Sequence, residues 1–141
     1  MARSIVGVVA GVIVAGLVVL LIEIAGMAVF PPPTGMDPTN PDSIRAHMSA
    51  LPVGAFLMVL AGWTAGGFAG AWVAGRISSR PVRWPGLVAG AIFAAACVMN
   101  LVTLPHPVWF AIAALLLVPA AIWIGTTSGT GDLRAAHGTG R

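Results

Sequence analysis

The chain has 141 residues, of which 58% are hydrophobic and 8% charged, with 18 glycines, one cysteine and a formal net charge of +3. Soluble domains carry roughly 25% charged residues and disorder requires low hydrophobicity, so the composition excludes both and leaves an integral membrane protein. Four spans of about 22 residues fill about 88 positions, which leaves no room for a soluble catalytic domain, and the basic residues are arginines scattered over loops and tails rather than a nucleic-acid patch.

The first span is expected over about 4–30. Its apolar run from Ile5 to Ile22 is longer than the roughly 7–15 residues of a signal-peptide core, so cleavage after Gly26-Met27-Ala28 is rejected. Only Glu23 interrupts it. Five prolines follow between Pro31 and Pro41, which bars a helix and makes 31–51 a stiff, proline-rich outer loop. Ile44, Met48 and Leu51 then recur at i, i+4, i+7, which predicts a short amphipathic turn on the membrane surface with Asp42 or Ser43 as N-cap.

The second span is expected over about 52–75, with Arg76, Arg80 and Arg83 in the connection after it. The third runs over about 85–104 from Pro85 at its first turn, and Pro105-His106-Pro107 is a turn too short for anything but antiparallel neighbours. The fourth occupies about 108–124 with Pro119 as a kink, and the glycine- and threonine-rich 125–141 reads as a flexible cytoplasmic tail.

Together these give an all-α, four-transmembrane-helix, up-down-up-down bundle in one domain. Arg3, Arg76, Arg80, Arg83, Arg134 and Arg141 fall on one side and Arg45 alone on the other, a bias that predicts both termini in the cytoplasm. Trp72, Trp84 and Trp123 fit the inner interface and Trp109 the outer one. Trp63 does not: about 16 Å into the bilayer, it faces either lipid or the bundle interior. An arginine-only, Ala/Gly/Pro-rich composition points to a GC-rich bacterial genome and hence a bacterial plasma membrane.

Gly62, Gly66 and Gly70 form a GxxxGxxxG row, Gly86 and Gly90 continue the spacing on the third span, and Gly7 and Gly11 start it on the first. Such rows let backbones approach closely. Intrachain packing is the first reading, and a homo-oligomer interface the second.

An ionisable residue inside a span is a functional-site candidate, which singles out Glu23. It precedes Phe30 by seven residues, about 10 Å along the helix, and Asn100 precedes Pro105 by five, about 7 Å, so both lie in the outer leaflet. His47 and His106 flank that leaflet. Glu23, Asn100, His47 and His106 are therefore expected around one polar cavity, with Asp37 and Asp42 above it. The alternative is structural, with a neutral Glu23 hydrogen-bonded to Asn100 or to a backbone carbonyl. A metal at the histidines has no supporting ligand spacing. Met27, Met36, Met48, Met58 and Met99 include several outer-side residues that suit a soft ion such as Cu(I), but methionine is also a common packing residue and copper is not favoured. Cys97, in mid-span, reads as packing.

No phosphate loop, HExxH, GxSxG or C-x-x-C is present, so no enzyme and no cofactor is expected. A membrane-embedded glutamate in the first of four short spans resembles the small multidrug resistance transporters, whose first-span glutamate exchanges protons for cationic drugs. The resemblance implies proton coupling at Glu23 and no further site residue; the long proline-rich loop, the outer-leaflet position of Glu23 and the greater length depart from that family. The expected activity is transport or channelling of a proton, cation or small solute. The other class is a non-catalytic scaffold that organises partner proteins or lipids.

Overall fold

A computed structural model describes residues 1–37, 39–78 and 82–138, with side chains described through Thr130. Five helices follow one another: α1 (Ala2–Val29), α2 (Pro41–His47), α3 (Val53–Ile77), α4 (Trp84–Thr103) and α5 (Val108–Gly138), with a 3-10 turn at Met48–Ala50. No strand occurs among the described residues. All but α2 contain a stretch long and apolar enough to cross a membrane. Leu17, Leu20, Leu21, Leu115 and Leu116 are more than half exposed, the outward apolar surface that lipid contact requires. Of the arginines read as orienting the chain, Arg80, Arg141 and the side chain of Arg134 lie outside the described residues.

Small residues decide how α1 meets α3. A methyl group on Gly11 would stand 2.5 Å from the carbonyl oxygen of Gly70, and one on Gly70 would stand 2.6 Å from that of Gly11. Gly7 meets Ala74 and Gly66 meets Ala15 in the same way, at 2.8 and 2.9 Å. Residue numbers fall along α3 as they rise along α1, so the two helices run antiparallel with bare backbone in contact. At the far end of this seam the Ser4 and Ser78 hydroxyls share a buried hydrogen bond of 3.2 Å. Gly86 and Gly90 of α4 face Thr126 and Ile122 of α5, so the glycine rows are met by helices of the same chain.

Where the sequence reads as a flexible tail from 125, helix α5 continues through Gly138, and 139–141 of that expected tail lie outside the described residues. Gly and Thr are poor helix formers by themselves, and over 125–130 packing overrides that tendency. Gly125 lies directly on the carbonyl of Phe68 of α3, and a methyl on Gly129 would stand 2.5 Å from that of Trp72. The Thr127 and Thr130 hydroxyls donate back to the Trp123 and Thr126 carbonyls at 3.0 and 2.9 Å, which meets their hydrogen-bonding need without leaving the helix. Pro119 lies inside α5 and does not end it.

The core runs through α3. Phe56, Leu60, Trp63 and Ala71 pack against Phe110, Ala114, Val118 and Ile122 of α5 and Cys97 of α4. Trp63, 4% exposed, points into the bundle. The N-cap of α2 is a second correction: Asn40 Oδ1, not Asp42 or Ser43, accepts from the Asp42 and Ser43 amides at 2.9 and 3.4 Å. Pro41 explains the shift, since proline is suited to the first helical position and places the cap one residue before it. Ile44, Met48 and Leu51 form the expected apolar face, but they pack down on the end of the bundle.

Candidate functional site

Under α2 and the 3-10 turn lies a cavity of about 330 Å³. Glu23 of α1, Trp63 of α3, Asn100 of α4 and His106 of the α4–α5 turn line it, with Ile44, Met48 and Leu51 as its cover. Three of the four residues singled out in the sequence are thus brought together.

Two further spaces adjoin it. An outer cleft of about 370 Å³ is lined by Arg45, Pro105 and Trp109 and shares Met48, Leu51 and His106 with the cavity. On its other side a space of about 320 Å³ runs between α1 and α4 past Val12, Gly16, Phe93 and Cys97, and shares Glu23, Trp63 and Asn100. Gly16 faces open space, with nothing within 4 Å of where its side chain would begin. His106 thus borders the first two spaces, and Glu23 and Asn100 border the last two.

Neither the Glu23 carboxylate nor the Asn100 amide has a hydrogen bond or ion pair to a described residue, although each is half-buried. The expected structural alternative, in which Glu23 donates to Asn100 or to a carbonyl, is thus not the arrangement in this structure. Their polar atoms remain accessible from the two adjoining spaces, where water or a ligand can supply the missing partner.

His106 belongs to an aromatic cluster. Its ring stacks on Phe110 with centroids 4.8 Å apart and planes 15° from parallel, and it approaches Trp63 at 6.1 Å and Phe56 at 6.3 Å. Nδ1 lies 3.0 Å from the Leu104 carbonyl. A carbonyl only accepts, so Nδ1 carries the hydrogen and the neutral ring keeps an Nε2 lone pair. Burial pushes its pKa below the ordinary imidazole value, and the bond to Leu104 opposes this in part.

His47 is not part of the site. Its Nδ1 donates to the Ser43 carbonyl at 2.8 Å, which turns the ring back on its own helix, and it lines none of the three spaces. Asp37 and Asp42 do not line them either. Asp42 pairs with Arg45 at 2.9 Å. Asp37 accepts from the Thr39 hydroxyl and amide at 2.6 and 2.8 Å, bonds that hold its carboxyl below the usual range.

Of the five methionines weighed in the sequence as soft-ion donors, Met27, Met36, Met48 and Met58 all line the central cavity and Met99 does not, a division that no spacing rule announces. One feature escaped the sequence reading. Arg45 ties α2 to the last residue of α4 through the Thr103 carbonyl. Among the described residues no three His, Cys, Asp or Glu side chains come together as a metal site. No protein-family model, curated protein or solved structure matches the chain.

Proposed function

We propose that the protein is a transporter or channel for a small cation or solute, including the proton. It would cross a bacterial plasma membrane four times, up-down-up-down, with both termini in the cytoplasm. The observation that carries this reading is the partnerless pair Glu23 and Asn100 in the wall shared by two spaces. A carboxylate there attracts a cation or accepts a proton, and the amide can orient what binds. His106 stands at the entrance from the outer cleft. The arginine bias and the antiparallel seam of α1 and α3 support the orientation and the order of crossing.

A scaffold requires Glu23 and Asn100 to lock helices together, and the missing hydrogen bond argues against that role. The deciding experiment is thermal unfolding of detergent-purified protein across pH 5–8 and a panel of inorganic and organic cations, comparing wild type with Glu23→Gln. A ligand at 100 times its dissociation constant adds about 2.7 kcal/mol. Stabilisation of wild type and not of the variant supports the reading, and equal responses throughout overturn it in favour of the scaffold.

A further inference from the structure

We infer that the cation is a soft monovalent one, of the Cu(I) or Ag(I) class, held by thioethers in the central cavity. This inference rests on the cation-site reading above and names its substrate class.

Four of the chain's six methionines line that one cavity. They come from four separate pieces of chain: Met27 from α1, Met36 from the proline-rich loop, Met48 from the 3-10 turn and Met58 from α3. The remaining two, Met1 and Met99, line none of the three spaces. Met48 is 6% exposed and Met27 44%, so what the four share is the cavity they line and not a common depth of burial.

The other donors have the same character. Neutral His106 offers Nε2 as a lone pair, since its Nδ1 hydrogen is taken by Leu104. The chain's one thiol, Cys97, lines the next space, beyond the wall of Glu23 and Asn100. Thioethers are the soft donors that select Cu(I) over hard ions, with imidazole able to join them, whereas Ca²⁺ takes six to eight oxygen ligands, more than one carboxylate and one amide supply. Thioethers are neutral, so a bound monovalent ion leaves a single positive charge in a largely apolar cavity, and the Glu23 carboxylate can balance it.

The test is Ag(I) binding to the detergent-purified full chain, titrated with silver nitrate in chloride-free buffer with a competing thioether, alongside thermal unfolding with Ag(I), Na⁺, Mg²⁺ and tetraphenylphosphonium. Leu replaces Met at similar volume, so Met36→Leu/Met58→Leu keeps the packing, and Met99→Leu is the matched control. Affinity is expected to fall at least about ten-fold in the double variant, as loss of metal-site partners commonly does, and to stay within about three-fold of wild type in Met99→Leu. Unchanged affinity in the double variant, or loss through Cys97→Ser alone, overturns the thioether site. If Ag(I) is without effect while another cation stabilises wild type and not Glu23→Gln, the soft-ion inference falls and the cation-site reading stands. If no cation separates wild type from Glu23→Gln, both fall.

Discussion

Arg45 holds the last residue of α4 by its backbone: Nε and Nη2 both donate to the Thr103 carbonyl oxygen, at 3.2 and 3.0 Å, while Nη1 binds Asp42 at 2.9 Å. The carbonyl lies at a helix C-terminus, where the last oxygens lack intrahelical donors and the dipole favours a cation. One guanidinium thus fastens the cover of the central cavity to the helix that carries Asn100.

Arg45→Ala is expected to lower stability by about 1 kcal/mol, a value limited by the side chain's exposure to water. Arg45→Lys should recover only part of it, because an ammonium lacks the planar fork that reaches Asp42 and Thr103 together. Thermal unfolding gives the magnitude. Amide exchange should rise over 41–50 and stay unchanged in the middle of α4.

The seam of α1 and α3 separates two glycines only five residues apart. Gly11→Ala drives a methyl against the Gly70 carbonyl and should cost about 1–3 kcal/mol. Gly16→Ala meets open space and should be neutral or gain about 0.5–1 kcal/mol from helix propensity. Equal losses in unfolding experiments on the two variants would contradict the assigned packing.

Without ligand, Glu23→Gln should change stability by less than about 1 kcal/mol or raise it, since no hydrogen bond is lost and a half-buried acid is removed. A loss of about 2 kcal/mol or more would instead identify Glu23 as a structural lock. Unfolding at pH 7 in the absence of added cations distinguishes the two.

His106 should make stability depend on pH. Its folded-state pKa lies below the ordinary 6.5, so the unfolded chain takes up the proton first as pH falls. This stabilising contribution is full above about pH 6.5 and is lost as the pH drops toward the folded-state value. His106→Gln should flatten that limb of a melting-temperature profile recorded between pH 5 and 8.

Thr126 is fully buried, and its hydroxyl oxygen has no hydrogen-bond partner among the described residues. Thr126→Val keeps the shape and removes the unsatisfied group, so a gain of up to about 1 kcal/mol is expected. Thr130→Val removes a hydroxyl bonded to the Thr126 carbonyl and should cost about 0.5–1.5 kcal/mol. Opposite signs in the two melting curves verify the assignment.

The four apolar stretches were legible because lipid imposes a length on each helix, and prolines at 31–41 and 105–107 mark breaks that no packing repairs. Glu23 and Asn100 could be brought to one depth by counting residues from those breaks. The rest depends on tertiary contacts. His47 lies at the right depth, but a bond to Ser43 turns it away. The glycines of 125–129 read as a break in the helix, yet they are what lets α5 lie on the Phe68 and Trp72 carbonyls. The methionines share no spacing, and only the folded cover of Ile44, Met48 and Leu51 gathers them.

The bare-backbone seam also constrains how the molecule is made. While α1 alone has entered the bilayer, Gly7 and Gly11 present peptide groups with no helix against them, and their complement at Gly70 and Ala74 has yet to be synthesised. Biogenesis therefore has an early commitment, the closing of an α1–α3 hairpin around residues 31–51. α4 and α5 are then expected to pack on a surface already in place, with His106 and Phe110 completing the aromatic cluster beside the cavity.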